Sequence, residues 1–263
     1  MPMPMTNLRL DGLDLPVRAD VAHWLGQVVS VLAASRCATW VDLREQLGEP
    51  DGSKRFKRLV QDYLPRSDLA TSEVVRVFGR RHWLGLVRLT EHGQNLARAQ
   101  GVEPLENNWE RVIRLHQGEA QATHAGLLLA FDLRARRRGW TTQVLPEVSP
   151  PIEGFAPDVW IERDSARLYV EVEGKYHHAN AAKWQAARRA QGFAAIVART
   201  PQARATLVED CRASGVAGIA TDFHRLYYQP TAALWAEAWP TATVLTPRMD
   251  HLRRLVGPPP NTA

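Results

Sequence analysis

The chain has 263 residues, of which 45% are hydrophobic and 23% charged, an ordinary globular composition that excludes wholesale disorder and collagen-like structure. The formal net charge of +5 suits a polyanionic partner. Apolar runs such as residues 24–34 are too short to span a bilayer, and the N-terminus lacks the apolar core of a secretion signal. Cys37 and Cys211 form neither a disulfide framework nor a zinc pattern. We therefore expect a cytoplasmic protein that does not contact a membrane.

The sequence pattern changes near residue 105, which predicts two domains over residues 16–104 and 105–256. In the first domain, Thr39, Ser53 and Thr90 stand where helix N-caps are expected, and a helix after Ser53 is expected to stop before Pro65. The predicted elements are three helices, a hairpin closed by GRRH and a last helix, over residues 19–34, 40–47, 54–63, 74–78 with 83–89, and 91–99. This order predicts a winged helix-turn-helix.

Two basic clusters fall where a winged helix-turn-helix contacts DNA. A recognition helix presents its N-terminal residues to the major groove, and a wing contacts phosphates or a minor groove. The third helix and the hairpin tip supply Lys54, Arg55, Lys57, Arg58, Arg80 and Arg81. The alternative is that both clusters are only solvated surface.

The second domain alternates strands and helices, which predicts an α/β core, so that the whole chain is α+β or α/β in class. A helical stretch over residues 109–138 with a break at Gly118 comes first. Trp235 and Trp239, four residues apart, predict a packed C-terminal helix. The remaining elements are predicted as strands and helices over residues 141–148, 158–162, 166–173, 179–191, 193–198, 202–214 and 217–221.

Carboxylates cluster on two of these strands. The period of two in LYVEVEGK places Glu171, Glu173 and Lys175 on one face, and Asp158 comes from the neighbouring strand. Buried carboxylates need a compensating cation, and a hard divalent ion such as Mg²⁺ (or Mn²⁺) binds carboxylate oxygens. The alternatives are an exposed strand face carrying a weak ion pair, and a turn after Pro157.

Asp158, followed after fourteen residues by Glu173-Gly174-Lys175, resembles the PD-(D/E)XK nuclease superfamily. The order helix, three strands, helix, strand over about residues 108–200 is also similar to that core. The resemblance implies that Asp158, Glu173 and the Gly174 carbonyl bind metal, with Glu171 beside them. Lys175 would assist the attacking water. An acidic residue of the first helix usually joins the site, and Glu119 is the candidate, with Asp132 second.

A narrower resemblance is to the replication-relaxation family, which is associated with plasmid mobilisation and replication. Its features here are a winged helix, His124 within THAGLLLAFDL, the PD pair and the EVE strand. That family usually has E-x-D followed by Gly-Thr, and Lys175 in place of the Thr moves this chain towards the catalytic nuclease pattern. His124 by itself is expected to be a satisfied core histidine. Lys183 is expected to contact the DNA backbone or only to solvate its helix.

Together these features predict a Mg²⁺-dependent endodeoxyribonuclease that acts on double-stranded DNA, because A-form RNA closes its major groove to a recognition helix. Cutting of both strands would favour a symmetric homodimer. Two alternatives stay open. One is a non-catalytic replication or mobilisation accessory with a nuclease-like fold, and the other is a transcriptional regulator whose second domain dimerises or senses a ligand.

Overall fold

The computed structural model describes residues 5–10, 13–115, 122–149, 151–164, 166–174, 181–240 and 252–256, with side chains from Asp20 onward. These residues divide into two compact units. Residues 5–76 and 81–115 belong to the first unit, and residues 77–80 group with the described residues from 122 onward. The domain boundary expected between residues 104 and 105 stays a prediction. Within the described residues, no helix is long and apolar enough to cross a membrane.

The first unit combines helices with two strand pairs. An N-terminal hairpin that the sequence did not predict precedes the helices, and a second hairpin lies between the fourth and fifth helices. The strand pairs are β1 (Met5–Leu10) with β2 (Leu13–Arg18), and β3 (Ala70–Phe78) with β4 (His82–Leu89). The helices are α1 (Ala19–Ala34), α2 (Trp40–Gln46), α3 (Lys54–Arg58), α4 (Leu64–Ser67), α5 (Glu91–Ala99) and α6 (Asn108–Leu115).

Three helices of this unit begin at the predicted N-caps. The Thr39 hydroxyl accepts from the Asp42 amide at 3.1 Å, and the Thr39 amide donates to the Asp42 carboxylate at 3.3 Å, which forms a capping box. Ser53 accepts from the Phe56 amide, and Thr90 caps α5 in the same manner. Each cap satisfies an amide that has no partner within its helix. The predicted helix starts are therefore confirmed.

The third helix was predicted to stop before Pro65, and this prediction is wrong. The chain passes from α3 through a π-helical turn, Leu59–Tyr63, directly into α4. Pro65 lies in the first turn of α4, directly after the π-helical turn. The Leu64 amide donates to the Leu59 carbonyl, an i to i−5 bond that accommodates the proline.

The core of the first unit forms around α1, and the second hairpin is tied to the loop before α2. Leu86 of β4 forms an antiparallel bridge with Thr39, and the Val87 amide donates to the Ala38 carbonyl at 3.0 Å. The hairpin therefore has a third, very short strand along one edge. The largest fully buried aliphatic side chains of this unit are Leu25, Leu43, Leu59, Leu64 and Leu69.

The second unit is built on a six-stranded mixed sheet of order β10-β9-β8-β7-β6-β5. Neighbouring strands run antiparallel from β5 to β7, parallel from β7 to β9, and antiparallel between β9 and β10. The strands are β5 (Thr141–Val144), β6 (Val159–Arg163), β7 (Ala166–Glu173), β8 (Ala194–Ala198), β9 (Gly218–Asp222) and β10 (Glu237–Trp239). The helices are α7 (Ala122–Arg136), α8 (Ala181–Gln191), α9 (Pro201–Ala213) and α10 (Phe223–Tyr228). The chain is thus a mixed α and β protein, and β7 is an interior strand as expected.

The sheet register places the odd-numbered residues of β7 on the face covered by α8 and α9. Glu171 pairs with Ile196, which packs in one buried cluster with Trp184 of α8 and Leu207 of α9. Tyr169 packs against Ala186 and Ala187 of α8 on the same face. Glu171 and Glu173 therefore point into the layer between the sheet and α8.

The predicted C-terminal helix at Trp235 and Trp239 is wrong. Trp239 ends strand β10, which pairs antiparallel with β9, and Trp235 lies in the segment before it. Both indoles are fully buried, and the Trp239 ring N–H donates to the Val216 carbonyl at 2.9 Å. The spacing of four is therefore a product of sheet-edge packing and not of helical periodicity.

Candidate active site

Asp158 is a buried carboxylate at the point where β6 begins. Its side chain is held from two directions, by the Val172 amide at 2.7 Å and by His124 Nε2 of α7 at 3.2 Å. Because β7 continues beyond the start of β6, the Asp158 carboxylate takes the position of a strand partner for the Val172 N–H. Only 3% of Asp158 is exposed. The strand arrangement thus fixes this carboxylate beside the end of β7.

Two further carboxylates project from the end of β7 onto one lysine. Lys183 Nζ of α8 lies 2.8 Å from Glu171 Oε2 and 2.5 Å from Glu173 Oε1. Glu171 is buried, whereas Glu173 and Lys183 are partly accessible. A single ammonium therefore bridges the two glutamates, and solvent reaches the site from the side of Glu173 and Lys183.

The electrostatic balance of the cluster is uneven. Burial raises the pKa of Glu171 to about 7, and the nearby charges of Asp158 and Glu173 act in the same direction, against the lowering effect of Lys183. Burial also opposes the charged form of Lys183, yet attraction to the carboxylates raises the pKa of Lys183. The site therefore holds three carboxyl groups beside one lysine and one histidine.

His124 and Asp158 stabilise each other's charged forms. Burial acts against the charged state of both groups, but their mutual hydrogen bond and ion pair outweigh it. The pKa of His124 is consequently raised and that of Asp158 is lowered. His124 is the satisfied histidine that the sequence predicts, and its partner is the candidate metal ligand.

The donor chemistry of the cluster fits a hard divalent cation, because such ions prefer carboxylate oxygens and would offset the uncompensated negative charge. The carboxylates come from Asp158, Glu171 and Glu173. In the part of the chain that the structure describes, no group of three His, Cys, Asp or Glu is already arranged as a ligand set. Lys183 would have to release the glutamates before a cation bound them.

The predicted site residues are partly brought together. Asp158, Glu171, Glu173 and Gly174 lie at the adjoining ends of β6 and β7, and a Cβ built at Gly174 would come within 3.1 Å of Leu127 of α7. Lys175 and Glu119 lie outside the described residues, as do Gly118, His177 and His178. Asp132, the second helix candidate, binds Arg136 at 3.0 Å and the Thr142 hydroxyl.

The sequence predicts that Lys183 contacts the DNA backbone or only solvates its helix, and this prediction missed the contact of Lys183 with Glu171 and Glu173. The available signal was its helical spacing, because Lys183 lies three and four residues before the apolar Ala186 and Ala187, and residues at this spacing share one helix face. The sequence also gave no indication that His124 contacts Asp158, since the two residues are 34 positions apart.

The basic residues of α3 and of the hairpin tip lie at the surface. All four on α3 are exposed, as are Arg80 and Arg81 at the hairpin tip. An open groove of about 330 Å³ is lined by Lys54, Arg55 and Arg58 together with Trp24. The Arg55 guanidinium stacks 4.2 Å from the Trp24 ring and lies 3.8 Å from Glu49, so Arg55 is anchored within its own unit. Lys57 and Arg58 are also exposed.

No family model matches the chain, and neither the curated proteins nor the solved structures contain a similar protein.

Proposed function

We propose that this protein binds double-stranded DNA through its first unit and hydrolyses a DNA phosphodiester bond at the Asp158–Glu173 cluster, with Mg²⁺ or Mn²⁺ as cofactor. The observation that carries the proposal is the set of carboxylates at the adjoining ends of β6 and β7, with one lysine among them. Three carboxyl groups here share two cationic partners, Lys183 and His124. A cluster of interacting, partly buried ionisable groups favours a functional over a purely structural role.

The element order of the second unit supports a PD-(D/E)XK type of core. Helix α7 is followed by three antiparallel strands, helix α8 and a parallel strand, which is the order that the motif predicts. Asp158 and Glu173 fall at the start of the second of these strands and at the end of the third. The two halves of a motif separated by fourteen residues are thus adjacent in space.

The proposed chemistry divides between the cation and the chain. A divalent cation held by Asp158, Glu173 and the Gly174 carbonyl, with Glu171 beside it, would lower the pKa of water and neutralise developing phosphate charge. His124 holds Asp158 in its ionised form through their hydrogen bond. Lys183, which contacts both glutamates before the cation binds, would release them and supply a positive charge at the edge of the site. Lys175 is proposed to orient the attacking water.

The first unit supports the DNA-binding half of the proposal. The order of its helices, its hairpin and the bridge from Thr39 to Leu86 is compatible with the proposed winged helix-turn-helix. The exposed cations Lys57 and Arg58 lie on the helix that would enter the major groove. We propose that the two units act on the same duplex. If both strands are cut, we propose that the chain acts as a homodimer.

The test is cleavage of supercoiled plasmid by the purified full chain in Mg²⁺, Mn²⁺ or EDTA. We expect metal-dependent nicking or linearisation that is lost in Asp158→Asn, Glu173→Gln and Lys175→Ala. Glu209→Gln is the matched control, because Glu209 forms an exposed ion pair with Arg212 elsewhere in the second unit. Cleavage that survives in EDTA, or in all three site variants, would overturn the proposed site.

A second candidate is a non-catalytic DNA-binding accessory or regulator that uses the same fold. The observation in its favour is that Lys183 already bridges Glu171 and Glu173 while His124 holds Asp158. Such a closed set of ion pairs offsets most of the negative charge of the cluster without a metal. This candidate predicts DNA binding that neither needs a divalent cation nor changes in Glu173→Gln, with no cleavage under any condition.

A further inference from the structure

One face of the β3–β4 hairpin exposes two large apolar side chains. Val74 and Trp83 are about half exposed, at 52% and 50%. The strand period places Ser72, Val74 and Arg76 on one face of β3. Arg76 contacts Trp83, so Trp83 and Gly85 of β4 lie on that same face. We call the residues Ser72, Val74, Arg76, Trp83 and Gly85, together with Trp40, the hairpin face.

A second indole extends this surface. The Trp40 ring lies directly on Gly85, where a Cβ would come within 2.3 Å of Trp40 Cδ2. The Trp40 ring N–H donates to the Ser72 hydroxyl at 3.0 Å, which fixes the orientation of the ring. Trp40 therefore lies flat against Gly85 at one end of the hairpin face. Trp83 lies two residues before Gly85 on β4.

The charge of the hairpin face is positive. The Arg76 guanidinium is 5.1 Å from the centre of the Trp83 ring, within the range of a cation–π contact. Arg81 is exposed at the turn that joins the two strands. Arg88 contacts Thr71 across the opposite face, and Glu73 alternates onto that face as well. None of the strand residues that define the hairpin face is acidic.

We propose that the hairpin face stacks against the unpaired bases of a DNA single strand or fork, a substrate preference that rests on the DNA binding proposed above. An aromatic ring beside an arginine offers a π-surface to any base and a cation to the adjoining phosphate. Bases inside a duplex are already stacked on each other, so Trp83 reaches bases only where the strands have separated. Because the hairpin face is positively charged, it favours a nucleic acid over an apolar peptide that has few acidic residues.

The experiment measures binding of the full chain to a labelled single strand, a fork and a duplex of matched sequence, by fluorescence anisotropy without divalent cations. Trp83→Ala is expected to weaken binding to the single strand and the fork about 5- to 100-fold, with less than about a 2-fold change for the duplex. Trp83→Phe is expected to retain most of the affinity, because it keeps a stacking ring. Leu105→Ala, at another exposed apolar side chain of the same unit, is the matched control.

Three results would overturn the inference. In the first, Trp83→Ala leaves binding to the single strand and the fork unchanged, and the chain still binds the duplex. This result would leave the proposed duplex binding intact. In the second, Trp83→Ala weakens all three DNAs equally. In the third, sedimentation shows that Trp83→Ala separates a dimer, which makes the hairpin face a contact between copies. If the unaltered chain binds no DNA at all, both this inference and the DNA-binding proposal fail. Circular dichroism checks that each variant is folded.

Discussion

The ammonium of Lys183 lies 2.8 Å from a carboxylate oxygen of Glu171, and this contact joins helix α8 to the interior strand β7. Glu171 is 4% exposed in its side chain and Lys183 is 25% exposed, so water screens the pair only weakly. The same ammonium contacts Glu173 at 2.5 Å. Removal of Lys183 would leave two neighbouring carboxylates without their shared cation.

We therefore expect Lys183→Met to destabilise the second unit by about 2–4 kcal/mol at pH 8, where Glu171 is ionised. The loss should be smaller at pH 5, because Glu171 then takes up a proton. Chemical denaturation followed by tryptophan fluorescence measures both values. The control is Arg212→Met, which removes an exposed pair with Glu209 and should cost less than about 1 kcal/mol. Equal losses in the two variants would contradict the prediction.

The titration of Glu171 predicts how stability depends on pH. Its pKa is raised from 4.5 to about 7 in the fold, so between these values the folded protein binds more protons than the unfolded chain. Stability should then fall as pH rises from about 5 to 7, by up to on the order of 3 kcal/mol, and level off above that. The raised pKa of His124 acts in the same direction. Glu171→Gln should flatten this slope in denaturation curves recorded across the range, and an unchanged slope would refute the assignment.

Asp158 accepts a hydrogen bond from the Val172 amide and forms an ion pair with His124, and two substitutions distinguish these roles. Asp158→Asn keeps an oxygen for the Val172 amide but loses the charge that faces His124, whereas Asp158→Ala loses both. The alanine variant should be less stable than the asparagine variant by about 1–3 kcal/mol, because the Val172 N–H is left unsatisfied. In both variants the pKa of His124 should fall, which proton NMR titration measures. An unaltered His124 titration would show that Asp158 is not its electrostatic partner.

Local chemistry explains which elements could be predicted from the sequence. Thr39, Ser53 and Thr90 cap helices through amides three residues ahead, so the information lies within one turn of chain. The period of two in β7 placed Glu171 and Glu173 on one face for the same reason. Pro65 misled the prediction because a π-helical turn, which no local rule anticipates, carries the helix through it.

Long-range packing explains the remainder. Trp239 belongs to a strand because β9 offers it an edge, and its indole reaches Val216, 23 residues away. The contacts of Lys183 depend on how α8 lies on the sheet, which strand and helix periods leave undetermined. The carboxylates of the candidate site were therefore predictable from the sequence, whereas the cation and the histidine that hold them were not.

The basic helix predicts a specific salt dependence of duplex binding. Lys57 and Arg58 are exposed, so each is available to neutralise one phosphate. Lys57→Ala or Arg58→Ala should each reduce the slope of log affinity against log salt by about 0.9, with uniform weakening across sequences. The control is Arg114→Ala, because Arg114 forms two hydrogen bonds with Glu106, at 2.7 and 2.8 Å. If Arg114→Ala changed the slope by as much, the result would mean that Lys57 and Arg58 of α3 do not contact the DNA phosphates.

Gly85 of the hairpin face is expected to tolerate no side chain. A Cβ there would overlap Trp40 at 2.3 Å, and the ring cannot move away without breaking its hydrogen bond to Ser72. Gly85→Ala should therefore destabilise the first unit by about 1–3 kcal/mol. Gly26→Ala is the contrasting control, because Gly26 lies inside α1 and a Cβ there would meet only Gln100 at 3.5 Å. Helix propensity then favours alanine by up to about 1 kcal/mol. Thermal unfolding of the two variants should move in opposite directions, and destabilisation of both by the same amount would show that close packing on Trp40 is not the cause.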